Sequence, residues 1–112
     1  MNQQTIIKEH SISGYGIHSG KKVNIKLCPA KENTGIVFQR IDLKNKPKIQ
    51  AIFSNVASTN RSTNIKIKNT EVHTIEHLMA AVFALAIDNL LIEIDNIEVP
   101  ILDGSSQKFI EI

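Results

Sequence analysis

The 112-residue sequence has no tryptophan, one tyrosine and one cysteine, Cys28, and its formal net charge is only +2. With a single cysteine the chain can form neither an internal disulfide nor a cysteine-based zinc cluster. Few aromatic side chains and a nearly balanced charge argue against a nucleic-acid-binding protein, which needs stacking platforms and a basic surface. The length predicts one domain over residues 1–112, large enough to bury an apolar core.

Long apolar segments are also missing. The first residues, MNQQTIIKEHS, lack the basic region and the apolar stretch of a signal peptide. The longest apolar run, Leu78 to Ile87, has ten residues, about half of what a membrane-spanning helix requires. The sequence therefore predicts a soluble, cytoplasmic protein without stable membrane insertion.

What the sequence does contain is the alternation of apolar and polar residues that is typical of β-strands. The segment VNIKLCP places three apolar residues on one face, Val23, Ile25 and Leu27. Strand-like composition recurs in TIIKEHSIS, IVFQRI, PKIQAIF, TNIKIK and LLIEID. In TNIKIK we expect Ile65 and Ile67 to face the core. LLIEID is apolar enough for an interior position in the sheet.

The periodicity changes at Thr74 to that of an α-helix. Apolar residues recur three and four positions apart in a stripe made of Ile75, Leu78, Met79, Val82, Phe83 and Ala86. The last residue before the helix is His73 or Thr74, and threonine is the better N-cap. Asp88 and Asn89 are expected to end the helix.

A second helix is predicted over QKFIEI, after the loop EVPILDGSS. Its cap candidates are Asp103, Ser105 and Ser106, and Asp103 is expected to have a structural role in the turn. Strands followed by helix, strand and helix predict an α+β fold. The expected architecture is a two-layer sandwich in which a mixed, mostly antiparallel sheet carries two helices on one face.

The segment HTIEH, residues 73–77, combines two histidines with a carboxylate at the start of the first helix. Such residues are common in a first helical turn, where the helix dipole favours a carboxylate, so the segment can be purely structural. It also matches an inverted metalloprotease motif, in which His73 and His77 bind zinc and Glu76 is the base. That motif needs both histidines on one helical face, whereas His73 lies at or before the cap.

A third interpretation uses only Glu76 and His77. Neighbouring side chains point about 100° apart around a helix, so the two residues are poorly placed to share one metal ion. They can divide the work, because His77 can bind the metal while Glu76 takes the proton from the water that attacks a carbonyl. One imidazole does not complete a catalytic zinc site, so further ligands would have to come from elsewhere.

Three segments, GYGIHSGKKVNIKLCPA, NTGIVFQRIDL and HTIEHLMAAVFALAIDNLLIEIDNIEVPILDGSS, resemble the N-terminal half of the bacterial UDP-3-O-acyl-N-acetylglucosamine deacetylases. The resemblance runs from about Thr5 to Ser106. It implies a zinc-dependent amide hydrolase that removes an acetyl group from a UDP-linked, acylated glucosamine, the committed step of lipid A synthesis. FQRIDL and VPILDGSS look more like the branch that is fused to a 3-hydroxyacyl-carrier-protein dehydratase.

The resemblance also implies roles for single residues. His77 corresponds to a zinc ligand and Glu76 to the general base, with iron(II) as an alternative metal. His73 replaces a serine that is usual in the family, which makes it a cap position and not a ligand. Three residues correspond to positions near the substrate cleft: His18, Asn60 and Arg61.

The rest of the family's site has no counterpart in this sequence. The family takes two further zinc ligands from an H-x-x-x-D motif in a second, similar domain, which also supplies a His general acid and an oxyanion-stabilising Thr. None of the four histidines here is followed four residues later by Asp. We therefore expect an N-terminal domain that is inactive alone, with the second domain as partner and the UDP-sugar as substrate. The alternative is a non-catalytic module that dimerises or binds a partner through the face meant for the second domain.

Overall fold

The computed structural model describes residues 3–57 and 62–100, and within these ranges it contains seven β-strands, one α-helix and a short 3-10 helix. The strands are β1 (His10–Tyr15), β2 (Lys22–Pro29), β3 (Ile36–Arg40), β4 (Lys48–Gln50), β5 (Ile65–Ile67), β6 (Thr70–Val72) and β7 (Leu90–Ile94). The α-helix, α1, spans Glu76–Ala84, and the 3-10 helix spans Phe53–Asn55. The predicted α+β class is confirmed. The second predicted helix, with Asp103, Ser105 and Ser106, lies outside the described residues.

The main sheet has five strands in the order β1-β2-β7-β3-β4. β3 and β7 pair in parallel, and the other three pairs are antiparallel. The mixed, mostly antiparallel sheet expected from the sequence is therefore confirmed. β7 has hydrogen-bonded neighbours on both sides, which is the interior position that its apolar sequence predicts.

The apolar side chains of this sheet lie on one face, because successive side chains of a strand point to opposite faces. The register aligns one row made of Ile12, Ile25 and Ile94. The next row consists of Leu27, Ile92, Phe38 and Ile49. Three residues of α1 belong to the same buried cluster: Leu78, Ala81 and Val82. The core thus lies between the sheet and α1, and each fully buried side chain of this kind contributes about 1.5–3 kcal/mol.

The position of β1 differs from the prediction. The strand begins at His10 and extends to Tyr15, two residues beyond the predicted segment TIIKEHSIS. Ile7 in the expected strand is 98% exposed. Upstream of β1 the chain is held instead by Gln4, whose carbonyl accepts the N–H groups of Asp88 and Asn89. This contact with the loop before β7 replaces a strand ladder.

Helix α1 buries only part of its predicted stripe. Phe83 is 88% exposed, because the buried face is centred on Leu78 and Phe83 lies about 140° around the helix from that residue. The helix ends at Ala84, before the predicted stop at Asp88. Ala86 has a φ of 54° and donates its N–H to the Phe83 carbonyl, and Ile87 donates to the Val82 carbonyl. These two bonds form a Schellman motif, which ends the helix with an alanine where glycine is usual.

The β5–β6 hairpin forms a separate two-stranded sheet. Ile65 is fully buried, as predicted, but Ile67, on the same face of the strand, is 37% exposed, so it does not reach the core as predicted. Ile67 lies opposite Thr70 at the tip of the hairpin, next to the left-handed Lys68, and the core does not extend that far. The sequence does not predict β6, since its three residues are too few to show the apolar–polar alternation of a strand.

A buried arginine connects this hairpin to the main sheet. Arg40 at the end of β3 is 7% exposed. Its Nε and Nη2 donate to the two carboxylate oxygens of Asp42 at 2.9 and 2.7 Å, and Nη1 donates to the Glu71 carbonyl at 2.8 Å. The hydrogen bonds from Arg40 lower the pKa of Asp42 and outweigh the effect of burial.

No helix among residues 3–57 and 62–100 is long and apolar enough to cross a membrane.

Candidate functional site

The first residue of HTIEH is fixed in a bridge before α1. The His73 N–H donates to the Ile97 carbonyl at 2.7 Å, and the His73 carbonyl accepts the Val99 N–H at 3.0 Å. The imidazole Nε2 of His73 lies 3.1 Å from Glu71 Oε1. His73 therefore precedes the helix, and it does not share a helical face with His77 as an inverted metalloprotease motif requires.

Thr74 turns the chain from this bridge into the helix. Its φ is 61°, in the left-handed region that β-branched residues rarely adopt. Its N–H donates to Asn64 Oδ1 at 3.0 Å, and its hydroxyl donates to Glu98 Oε2 at 2.7 Å. The prediction that His73 or Thr74 caps α1 is wrong. The N-cap residue is Ile75, whose aliphatic side chain cannot form a cap hydrogen bond, and the Thr74 hydroxyl binds Glu98 instead.

Glu76 and His77 are the first two residues of α1, and both are half-buried. Glu76 Oε1 accepts the N–H of Thr63 at 3.2 Å, while the Thr63 carbonyl accepts the N–H of Ile75 at 3.0 Å. Thr63 therefore fixes both the start of the helix and the carboxylate. A carboxylate with one such bond retains lone pairs that can accept a proton from a water molecule.

A buried carboxylate, Glu98, lies behind this segment and was missed by sequence reasoning. It is 3% exposed and accepts the N–H of Ser19 at 2.9 Å and the N–H of His18 at 3.2 Å, in addition to the Thr74 hydroxyl. Burial acts to raise the pKa of Glu98, but the hydrogen bonds from Ser19, Thr74 and His18 outweigh it and lower the pKa. The available signal was one charge inside the otherwise apolar run IEVPIL.

The residues predicted from the sequence are brought together only in part. The turn that contains His18 and the segment that contains Glu76 and His77 meet at one carboxylate, Glu98. The His18 side chain is itself exposed. The other two cleft candidates, Asn60 and Arg61, lie outside the described residues. The catalytic, metal and substrate roles of all five residues stay predictions.

The described residues offer only part of the ligand set that a metal ion needs. In the part of the chain that the structure describes, no three His, Cys, Asp or Glu side chains come together as a metal site. His77 and its neighbour Glu76 do not by themselves fit a catalytic zinc ion, which usually has three protein ligands. The described residues thus supply at most a fraction of such a site.

The family model and the similar known proteins agree on one family. The family model described as "LpxC: UDP-3-O-acyl N-acetylglycosamine deacetylase" matches residues 3–112. The chain is 46% identical over 108 residues to the bifunctional enzyme LpxC/FabZ of Porphyromonas gingivalis, covering 96% of this chain and 23% of that protein. It is 46% identical over 109 residues to the UDP-3-O-acyl-N-acetylglucosamine deacetylase of Brucella melitensis biotype 2, covering 97% of this chain and 38% of that enzyme.

The chain therefore spans well under half the length of these relatives. A second Brucella enzyme of the same name, from Brucella ovis, is 45% identical over 109 residues and is again covered to 38%. The bifunctional and the single-function relatives match equally well, so identity does not separate the two branches.

Proposed function

The chain belongs to the UDP-3-O-acyl N-acetylglycosamine deacetylase family, and we propose that it is the N-terminal domain of such an enzyme. The reaction removes the acetyl group from the sugar nitrogen of a UDP-linked, acylated glucosamine in lipid A synthesis. The family match over residues 3–112 carries this proposal. Since the chain spans only 23% to 38% of its relatives, the rest of the site belongs to sequence beyond these residues.

Glu76 is the general base of the proposed reaction. Its carboxylate is held at the first turn of α1 by the Thr63 N–H, 3.2 Å away. From there it takes the proton of the water molecule that attacks the acetyl carbonyl. Collapse of the tetrahedral intermediate then requires a proton for the leaving amine, which a general acid outside this chain provides.

His77 is the one metal ligand that this chain contributes. Zinc, with iron(II) as the alternative, would supply Lewis-acid stabilisation of the developing oxyanion when bound. The adjacent Glu76 points about 100° away around the helix, so base and ligand do not compete for one position. The remaining ligands come from the second domain.

The substrate cleft lies beside this catalytic pair. The Gly16–Ser19 turn and Thr74 bind the same Glu98 carboxylate, which supports a cleft position for His18. Asn60 and Arg61 are assigned to the same cleft from the resemblance alone.

The exposed end of α1 supports the second domain as a partner. Phe83 is 88% exposed and Leu85 46% exposed, and a contact with the second domain would cover both side chains. The same observation favours the alternative function, a non-catalytic module that binds a partner or a second copy through this face.

The test of the catalytic assignment uses the full-length gene product, with acetate release and metal content as readouts. Glu76→Ala should lower kcat by about 10²- to 10⁴-fold, because it removes the base, and should leave the metal content unchanged. His77→Ala should lower the metal content itself. Glu71→Ala is the control, a nearby half-buried carboxylate for which we expect wild-type turnover.

A further variant separates the two metal interpretations. His73→Ala should keep the metal bound if His77 is the only ligand from this segment. Loss of metal with either histidine substitution would replace our assignment with the inverted motif. Near-normal turnover of Glu76→Ala would show that Glu76 is not the base.

A further inference from the structure

We propose that Glu98 is a positioning residue for catalysis, whose buried carboxylate acts through Thr74 to fix where α1 begins and hence where Glu76 and His77 lie. The inference rests on the proposed function, since only there do Glu76 and His77 have chemical roles. Glu98 itself touches neither the substrate nor the metal in this proposal.

Keeping a charge at the position of Glu98 is costly. Glu98 is 3% exposed, and among the described residues no cationic side chain forms an ion pair with it. A buried carboxylate without a cation is expensive unless directed hydrogen bonds satisfy it. Here the donors are the Ser19 N–H, the His18 N–H and the Thr74 hydroxyl. All three lie on segments that border the proposed cleft.

Thr74 and not a conventional cap sets the start of α1. Ile75 is the N-cap residue and forms no side-chain cap hydrogen bond, so a conventional cap does not define where α1 begins. Thr74 is instead held from two sides, by Asn64 at its N–H and by Glu98 at its hydroxyl. The left-handed φ of Thr74 is a strained conformation that persists only when its surroundings hold it, and these two hydrogen bonds hold it at the entry to the helix.

Glu98 also belongs to the segment that holds His73. The backbone of His73 is bound between Ile97 and Val99. One short segment thus aligns two successive residues, His73 through its backbone and Thr74 through the Glu98 carboxylate. Glu76 follows two residues later, so a displacement at Thr74 passes directly to the proposed base.

On the other side of the Glu98 carboxylate, the chain approaches so closely that it requires a glycine, Gly16. A Cβ atom at Gly16 would collide with the Glu98 carboxylate and would lie 2.5 Å from Ser19 Oγ. Glycine therefore allows the Gly16–Ser19 turn to approach closely enough for two N–H groups to reach Glu98. Loss of the carboxylate would release this turn and the catalytic segment together.

The test compares Glu98→Gln, Thr74→Ala and the double variant in the full-length enzyme, with Thr74→Ser as the conservative control. We expect kcat to fall about 10- to 100-fold in each single variant, because a misplacement of a catalytic group by about 1 Å can cost about 100-fold, with a smaller change in KM. The double variant should be no worse than the more impaired single variant, because both act through one hydrogen bond. Thr74→Ser keeps the hydroxyl and should retain most of the activity.

Three results would overturn the inference. The first is wild-type kcat in folded Glu98→Gln and Thr74→Ala, with only a lowered melting temperature, which is the signature of a purely structural role. The second is multiplication of the two single effects in the double variant. The third is an active Glu76→Ala enzyme, which would overturn the proposed function as well. If Glu76→Ala is inactive while the Glu98 and Thr74 variants are fully active, only this inference is overturned. If Glu98→Gln fails to fold, the Thr74→Ala and Thr74→Ser pair decides the question.

Discussion

At the scale of single residues, the site combines a strained backbone with a buried charge. A threonine in the left-handed region costs on the order of 1–3 kcal/mol, and Thr74 keeps this conformation because Asn64 and Glu98 bind its N–H and its hydroxyl. Residue types make Glu76 and His77 candidates for a base and a metal ligand, the family resemblance assigns them those roles, and both roles stay predictions. Glu98 and Thr74 could not be found in this way, because their roles depend on a contact between positions 24 residues apart.

The lowered pKa of Asp42 leads to a prediction about acid stability. Hydrogen bonds from Arg40 hold this pKa below its usual value of 3.8. The folded state then binds fewer protons than the unfolded state at low pH, so the Asp42 contribution to stability is present above about pH 4 and is lost as pH falls through the folded pKa. Urea unfolding between pH 2 and pH 6 should show this loss, and Asp42→Asn should flatten the acid limb of the curve. If Asp42→Asn loses stability with falling pH as steeply as the wild type, Asp42 does not contribute to acid stability in this way.

At the scale of elements, the quality of a prediction follows the strength of its local signal. β2 and β7 are apolar at alternate or nearly all positions, and their placement is as expected. The predicted end of α1 was wrong because a Schellman motif with a left-handed alanine has no glycine in the sequence to indicate it. The predicted cap was wrong because the Thr74 hydroxyl binds the distant Glu98 carboxylate instead of the start of the helix. Apolar periodicity identifies these elements, but it does not reveal a helix boundary that depends on a special backbone conformation or on a contact with a distant residue.

The helix end gives a matched pair of glycine substitutions with opposite expected signs. Ala86 has a φ of 54°, so Ala86→Gly should raise the free energy of unfolding by about 0.5–1 kcal/mol, because it relieves a left-handed alanine. Ala80 is an exposed residue in the interior of α1, and Ala80→Gly should lower the free energy of unfolding by about 1 kcal/mol. Urea unfolding of both variants measures the difference. A loss of stability in Ala86→Gly would show that the motif does not end the helix in solution.

At the scale of the whole molecule, the sheet is organised around its last described strand. β1–β2 and β3–β4 are two antiparallel hairpins, and β7 lies between them with pairs on both sides. Ile92 and Ile94 on this strand are fully buried. The sequence indicated an interior place for β7, but it could not indicate which strands would flank it, since that depends on contacts between distant segments.

Hydrogen exchange should reveal the central role of β7. We expect the paired amides of Leu90–Ile94 to exchange only when the whole domain unfolds, while amides of the edge strands β1 and β4 exchange earlier by local opening. Native-state exchange at increasing urea concentrations orders these events. Exchange of β7 amides before those of β1 would contradict a cooperative unit centred on β7.

The late position of β7 has a consequence for synthesis of the protein. As the chain leaves the ribosome, the hairpins β1–β2 and β3–β4 emerge first, and each has an apolar face and an open edge towards a strand that is not yet translated. Only when residues 90–94 have passed the exit tunnel can the two hairpins be joined into one sheet. Until residues 90–94 have emerged, the nascent chain is therefore a natural client for chaperones that shield exposed strand edges.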